Sequence, residues 1–182
     1  MKKALLLIDI QNDYFPGGKM ELAGINEATL QAQALLAEFR RRRWPTYHIQ
    51  HVSLRPGAPF FVPGTPGVEI QGLIAPRPGE AVIEKHFPNS FRETGLQAQL
   101  SAGQVQELVI CGAMSHMCID ATTRAAVDLG FTCTVIHDAC ASRDLTFDDL
   151  VIPAAQVHGA FMAALSPLYA RVVSREEFLQ GL

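Results

Sequence analysis

The sequence lacks any apolar run long enough to cross a membrane, and the short run after Met1 that could suggest a signal peptide is ended by Asp9. It also lacks an excess of basic residues. The 15 Lys and Arg against 18 Asp and Glu give a net charge of −3, which argues against nucleic-acid binding. We therefore expect a cytoplasmic protein with a single domain over residues 1–182 that binds neither membranes nor nucleic acid.

The four cysteines show neither a C-x-x-C pair nor the spacing of a zinc site. In a cytosolic protein they are expected to be free thiols. Cys111 and Cys133 lie in apolar strands and Cys140 follows one, so these three are interpreted as packed core residues. Cys118 differs because it stands at the first turn of a predicted helix in "VICGAMSHMCIDATTR", where the helix dipole favours a thiolate.

Short apolar runs alternate with helical patterns along the chain. The runs "KALLLID", "TYHIQHV", "AVIEK", "ELVICGA", "FTCTVIHD" and "ARVVS" are predicted strands. This order predicts an α/β fold, with a doubly wound, mostly parallel six-stranded sheet and helices on both faces. No G-x-G-x-x-G follows the first strand, where "DIQNDYFPGG" stands, and this excludes a dinucleotide-binding Rossmann domain.

One segment, Leu54 to Gly79, interrupts this alternation, since it holds six of the eleven prolines and five glycines. Such a composition predicts neither a regular strand nor a regular helix. A long irregular segment in a compact domain is usually functional, disordered or a partner contact. Because it contains the adjacent aromatic residues Phe60 and Phe61, we expect a lid or a subunit-interface loop.

Three chemically reactive side chains follow predicted strands, namely Asp9, Lys85 and Cys118. The carboxyl ends of parallel strands meet at one edge of a sheet, so we expect these groups to lie together. Each also has a structural interpretation, as a loop cap, a surface lysine and a packed thiol. Together they supply a base, a charge stabiliser and a nucleophile.

These residues carry a resemblance to the isochorismatase-like family of cysteine hydrolases, which includes nicotinamidases and N-carbamoylsarcosine amidohydrolases. "LLLIDIQNDYF", "AVIEKHFPNSF" and "VICGAMSHMCIDATTRAAVDLGF" resemble the family's three catalytic segments in order, and the similarity spans nearly the whole chain. "AMSHMCIDA" is also similar to a branch related to streptothricin hydrolases.

The resemblance implies that Cys118 attacks a carbonyl carbon, that Asp9 accepts its proton, and that Lys85 and the helix start favour the thiolate. It also implies an oxyanion hole formed by the backbone N–H groups of Met114 and Cys118, and a cis peptide bond between Ala113 and Met114. Family members often form oligomers, so we expect a homo-oligomer.

Two departures from well-known family members narrow the expected chemistry. Nicotinamidases bind a metal after the second strand, but here His51 replaces the aspartate and Ser53 replaces a histidine. His48 and His51 are three apart on a strand and point to opposite faces, so we expect no metal and no other cofactor. Isochorismatases that cleave a vinyl ether lack the cysteine, so Cys118 favours acyl transfer.

The predicted function is hydrolysis of a C–N bond in a small amide, ureide or cyclic amide through a cysteine thioester. The side chains next to the catalytic candidates are proposed to line the substrate pocket: Phe15, Phe60, Phe61, Phe87 and His116. Two alternatives stay open. One is an ether hydrolase of the isochorismatase type, and the other is a thiol protein that binds ligands or undergoes redox chemistry without turnover.

Overall fold

Eight strands and five helices make up the fold in the computed structural model, which describes all 182 residues. The strands are β1 (Lys3–Ile8), β2 (Thr46–His51), β3 (Ala81–Lys85), β4 (Glu107–Ala113), β5 (Thr132–Ala141), β6 (Leu145–Phe147), β7 (Leu150–Ile152) and β8 (Arg171–Val173). The helices are α1 (Ile25–Arg42), α2 (Leu96–Ala102), α3 (Asp120–Asp128), α4 (Ala154–Leu165) and α5 (Arg175–Gln180). None of these helices has the length and apolar character needed to cross a bilayer.

Six strands form the central sheet in the order β3-β2-β1-β4-β5-β8, and every neighbouring pair is parallel. The prediction of a doubly wound α/β fold with six strands is therefore confirmed, and the sheet is entirely rather than mostly parallel. The strand order reverses between β1 and β4. In such sheets, binding and catalysis occur at the carboxyl ends of the strands beside this reversal.

The middle of the sheet is buried on both faces because the apolar side chains of β1 alternate between two cores. Leu5 and Leu7 join one core, which includes residues of α1 and α5. Leu6 and Ile8 join the other core, which includes residues of α2, α3 and α4. A strand covered on both faces needs continuous apolar sequence, which explains why "KALLLI" shows no polar alternation.

Gly112, near the end of β4, permits β4 to lie closely against β1. Its φ of +129° is a conformation that side chains rarely adopt. A Cβ at this position would also lie 2.0 Å from the carbonyl oxygen of Ile8. Only glycine satisfies both conditions, so this residue brings the segment after β4 next to the end of β1.

Three local features differ from the predicted elements. Helix α2 is only seven residues long and was not predicted, because so short a segment shows little helical periodicity. The antiparallel hairpin of β6 and β7 was also missed, since each strand has three residues. The helix predicted to start near Met117 instead begins with a π-helical turn over Ser115–Ile119 and continues as α3.

The segment Leu54–Gly79 packs over the carboxyl ends of β1 and β2. It contains two short 3-10 turns, at Pro66–Val68 and Gly72–Ile74. The side chain of Gln11 donates to the carbonyl oxygen of Val68 at 2.7 Å, which ties the segment to the loop after β1. Its role as a lid or an interface loop stays a prediction, as does the homo-oligomer.

Candidate active site

Asp9, Lys85 and Cys118 converge at the carboxyl edge of the sheet, at the point where the strand order reverses. Asp9 follows β1, Lys85 ends β3, and Cys118 lies in the π-helical turn after β4. The Lys85 Nζ atom donates to Asp9 Oδ2 at 2.7 Å and to Cys118 Sγ at 3.3 Å. Asp9 and Lys85 have no exposed surface, and Cys118 is 4% exposed.

Asp9 is held in an unusual backbone conformation. Its φ of 52° lies in the left-handed region, which costs about 1–3 kcal/mol outside glycine, although Asp tolerates it better than most residues. The Asp9 backbone N–H donates to the carbonyl oxygen of Ile49, which secures this turn. The Asp9 Oδ1 atom is buried and accepts no hydrogen bond within the protein. This oxygen is therefore free to accept a proton.

Lys85 is surrounded by acceptors. Besides Asp9 and Cys118, its Nζ donates to the carbonyl oxygen of Phe87 at 3.1 Å and lies 2.9 Å from His51 Nδ1. Burial alone would lower the pKa of Lys85, but the Asp9 carboxylate and the Cys118 sulfur beside it raise it above its ordinary value. The side chain is therefore a buried ammonium, and it places a fixed positive charge beside the carboxylate and the sulfur.

The environment of Cys118 opposes the thiolate that the helix start was expected to favour. Burial, followed by the charge of Asp9, raises the pKa of the Cys118 thiol well above its ordinary value. Lys85 acts in the opposite direction but does not outweigh these two effects. Removal of the sulfur from water outweighs the preference for a thiolate at a helix start. Cys118 is therefore a neutral thiol at rest that needs a base to become a nucleophile.

The corner between β4 and the π-helical turn presents a free backbone donor. The Ala113–Met114 peptide bond is cis. The carbonyl oxygen of Met114 accepts hydrogen bonds from the N–H groups of Met117 and Ile119, at 3.0 and 3.2 Å. The N–H of Met114 itself has no acceptor in the protein. The Ser115 hydroxyl anchors the corner by donating to the carbonyl oxygen of Ala141 at 3.1 Å.

The residues proposed to line the pocket differ in exposure. Phe60 and Phe87 are partly buried, and the Phe87 ring lies under the Arg92 guanidinium, 3.6 Å from ring centre to Cζ. His116 is partly buried and its Nδ1 is 2.8 Å from Ser142 Oγ, while Phe15 is buried in the core at 9% exposure.

Phe61 requires a correction, because it is fully buried and has no surface for a substrate to contact. Its ring centre lies 4.6 Å from that of Tyr14 and 5.8 Å from that of His51. Its backbone N–H donates to Asp13 Oδ2 at 2.6 Å. Phe61 therefore supports the rings around the site rather than lining the pocket. Two adjacent aromatics in a loop could not reveal which one turns inward.

His51 is a site residue whose contact with Lys85 sequence reasoning missed. Its ring faces Lys85, whereas His48 turns away and its Nε2 lies 3.0 Å from Glu80 Oε2, so the two rings diverge as expected. Burial lowers the pKa of His51 to about 4, so the ring is neutral near pH 7. The strand alternation separated the two histidines, but it did not show that either of them contacts Lys85.

Asp9, His51 and Cys118 each place a potential metal-ligand atom within 4.8 Å of the others, a convergence that was not foreseen. The Lys85 ammonium lies within 3.3 Å of all three side chains. A positive charge thus already occupies the centre of the group, where a metal ion would have to displace it. The expectation that no metal binds stays a prediction.

Tyr14 and Arg143 also belong to this region and were not singled out from the sequence. Burial, together with the nearby charges of Cys118 and Asp9, raises the pKa of Tyr14, and Arg143 opposes that shift. Arg143 has a buried Nε without a hydrogen-bond partner and forms no salt bridge. Tyr14 could have been noticed within "DIQNDYF", but no spacing signal marks Arg143.

Comparisons with known proteins agree on one family. The sequence model of the isochorismatase domain matches residues 3–177. The isochorismatase family protein YddQ of Bacillus subtilis is 51% identical over 180 residues, which cover 99% of this chain and all of that protein. An isochorismatase-hydrolase crystal structure from Oleispira antarctica is also 51% identical, with a TM-score of 0.95 over 99% of this chain and 97% of that one. Streptothricin hydrolase of Streptomyces noursei is 37% identical over 79% of this chain and 51% of its own length.

Proposed function

This chain belongs to the isochorismatase family of hydrolases, and from that membership we propose that it cleaves a C–N bond in a small amide, ureide or cyclic amide through a thioester on Cys118. The observation that carries the proposal is the buried Lys85 ammonium, which contacts both the Asp9 carboxylate and the Cys118 sulfur. This arrangement places a base, a nucleophile and a counter-charge within one group of contacts.

The first chemical step uses Asp9 as a base. The Cys118 thiol is neutral at rest, so its proton must leave as the sulfur attacks the substrate carbonyl. The unpartnered Asp9 Oδ1 is available to accept that proton. Lys85 keeps its own proton and offsets the negative charge that moves from the carboxylate to the substrate.

The oxyanion that forms at the carbonyl needs hydrogen-bond donors already in place. The N–H of Met114 has no acceptor in the protein, and this favours its role as one donor. The backbone N–H of Cys118 is the proposed second donor. Removal of one such donor typically costs roughly 100- to 1,000-fold in rate.

The second half of the reaction releases the product. Collapse of the tetrahedral intermediate breaks the C–N bond, and protonated Asp9 returns its proton to the departing nitrogen. A water molecule then attacks the thioester carbonyl and gives one proton to Asp9. When the C–S bond breaks, that proton passes to the Cys118 sulfur, which restores the thiol and the carboxylate. Neither step requires a metal or another cofactor.

Arg143 narrows the proposed substrate class. Arg143 directly follows Ser142, whose Oγ lies 2.8 Å from His116 Nδ1 in the π-helical turn, and its own Nε is buried without a hydrogen-bond partner. An arginine without an ion-pair partner beside a catalytic site favours an anionic group, because its planar donors match a carboxylate. We therefore favour a small amide or ureide that also carries a carboxylate.

The two alternatives receive less support. A redox or regulatory thiol is expected to have a lowered pKa and good access to solvent, whereas Cys118 is buried and its pKa is raised. An ether hydrolase has no need for a thiol beside a carboxylate base. One relative of this chain is a streptothricin hydrolase, and this supports hydrolysis over redox chemistry.

The proposal is tested by screening the purified protein against small amides and ureides, with ammonia release as the measurement. The panel should pair each carboxylate-bearing amide, such as succinamate, with its neutral counterpart, succinamide. We expect turnover of at least one amide and faster turnover of the anionic member of the pair. Absence of ammonia release from every amide and ureide, by a folded protein with free Cys118, would contradict the proposal.

A further inference from the structure

The Lys85 ammonium has more acceptors than hydrogens. It carries three N–H bonds, yet Asp9 Oδ2, His51 Nδ1, the Phe87 carbonyl oxygen and Cys118 Sγ lie at 2.7, 2.9, 3.1 and 3.3 Å. At any moment one acceptor must share a hydrogen or go without. A thiol sulfur is the weakest acceptor of the four, so the other three atoms compete with it for the hydrogens while Cys118 is a thiol.

The His51 ring is held in position beside the Lys85 ammonium. The Gln11 side chain donates to the His51 carbonyl oxygen at 2.9 Å and accepts from its backbone N–H at 2.7 Å, so the backbone is held on both sides. The ring also packs against the buried Phe61. A neutral imidazole has one acceptor nitrogen, and the contact with an ammonium requires this to be Nδ1.

The proton shared between Asp9 and Cys118 has two possible positions. It can lie on sulfur, which leaves the carboxylate charged, or on the carboxylate, which leaves a thiolate. The total charge is the same in both cases. Lys85 stabilises whichever group, carboxylate or thiolate, receives the stronger hydrogen bonds from its ammonium. The direction of the third N–H of Lys85 therefore affects which of the two groups holds the shared proton.

We propose that His51 is a positioning residue for Lys85: by accepting one ammonium N–H, it keeps that hydrogen away from the sulfur and holds the shared proton on Cys118, so that Asp9 stays a carboxylate. The inference rests on the proposed function, since it concerns the base and nucleophile assigned there. When the thiol loses its proton during attack, the sulfur becomes the stronger acceptor and His51 can release the hydrogen.

A neutral acceptor suits this role better than a second carboxylate. A carboxylate would bind the ammonium about as strongly as a thiolate and would not yield the hydrogen. The ionisable groups that face this cluster are Asp9 from the end of β1, Lys85 and His86 from the end of β3, and Tyr14 from the loop after β1. The test therefore changes His51 and uses a His86 variant as the control for the loss of a nearby imidazole.

Three variants separate the acceptor from the rest of the ring. His51→Asn keeps an oxygen near the position of Nδ1, His51→Leu removes the acceptor with little change in size, and His86→Leu removes a neighbouring imidazole that makes no contact with Lys85. The measurement is the pH dependence of Cys118 alkylation by iodoacetamide, with labelling located by mass spectrometry. The ultraviolet absorbance of the thiolate, corrected with Cys118→Ala, gives a second readout.

We expect His51→Leu to lower the apparent pKa of Cys118 by roughly one to two units, because one hydrogen bond from a charged donor becomes available to the thiolate. Alkylation near neutral pH should accelerate correspondingly, by roughly ten- to 100-fold. His51→Asn and His86→Leu should resemble the wild type. A purely structural role for His51 predicts a similar change in alkylation rate at every pH, with no fall in the apparent pKa.

An unchanged or raised apparent pKa in His51→Leu would overturn the inference, as would an Asn variant that behaves like the Leu variant. If the Leu variant fails to fold, the Asn variant is compared with His51→Phe, which also lacks an acceptor but keeps an aromatic ring. Because the measurement follows the thiol and not turnover, it gives an answer even if no amide proves to be a substrate.

Discussion

Replacement of Lys85 by methionine removes the charge that links the proposed base and nucleophile. Methionine is unbranched and of similar length, so the change mainly deletes the ammonium. Asp9 then loses the donor at 2.7 Å from Oδ2, and its Oδ1 already has no partner. A carboxylate with no exposed surface would be left without any counter-charge, or it would take up a proton.

The expected loss of stability follows from this burial. Breaking a buried ion pair by removing one partner typically costs about 3–5 kcal/mol. For a domain of this size each kcal/mol shifts the melting temperature by roughly 2–4 °C, so the variant should melt roughly 6–20 °C lower than the wild type. Typical stabilities of about 5–15 kcal/mol leave most of the protein folded at room temperature.

The Lys85→Met variant is also expected to lose catalytic activity. If Asp9 takes up a proton, it cannot act as the base. If Asp9 stays ionised, no positive charge offsets the negative charge that moves from the carboxylate to the substrate. General acid–base catalysis contributes roughly 100- to 10,000-fold, so we expect kcat/KM to fall by roughly that factor. The assay is ammonia release from the best substrate of the screen, at a temperature where circular dichroism shows the variant folded.

Lys3→Met is the matched control, because it also removes a lysine from an ion pair at the sheet. Lys3 pairs with Glu107 at the opposite, amino-terminal edge, and the Lys3 side chain is 25% exposed. Because the Glu107 side chain is only 8% exposed, this variant should also lose stability, but Lys3 lies far from the catalytic groups and the variant should be fully active. If Lys85→Met retains activity within about tenfold of the control, Lys85 has no part in the chemistry proposed here.

Three further predictions concern pH, the substrate and metals. Burial lowers the pKa of His51 from 6.5 to about 4, so between these pH values the unfolded chain binds more protons than the folded protein, and the free energy of unfolding should fall as the pH is lowered from 6.5 towards 4. Urea unfolding across this range should show a smaller fall in His51→Asn than in the wild type. An equal fall in both proteins would contradict this. Arg143→Gln should raise KM for a carboxylate-bearing amide by roughly tenfold or more while leaving KM for the neutral counterpart unchanged, and equal effects on both would refute the anion-binding role. Dialysis against a chelator should leave activity unchanged, whereas loss of activity that zinc, iron or manganese restores would show that the reaction depends on a metal.

Much of the fold could be predicted because the central strands are covered on both faces. Continuous apolar runs such as "ALLLI" and "LVIC", which alternate with helical patterns along the chain, indicate buried parallel strands. The carboxyl ends of these strands meet at one edge of the sheet, and this brings Asp9, Lys85 and Cys118 together. The hairpin of β6 and β7 escaped prediction because its strands are too short to show alternation.

The details of the site were less predictable because they depend on side-chain direction and on burial. The pattern of "APFFVPG" does not reveal that Phe61 turns inward to support His51 and Tyr14. The position of Cys118 near a helix start suggested a lowered pKa, but desolvation by the surrounding core acts more strongly in the opposite direction. Such effects come from residues that are distant in the sequence.

The most direct test of the proposed thioester mechanism is the rate of amide hydrolysis by Cys118→Ala compared with Cys133→Ala. Both cysteines are buried and free, but Cys133 lies on β5 and contacts none of the catalytic groups. The mechanism predicts that Cys118→Ala, folded by circular dichroism, loses at least about 1,000-fold in kcat while Cys133→Ala stays within a few-fold of the wild type. Turnover by Cys118→Ala at close to the wild-type rate would contradict the mechanism.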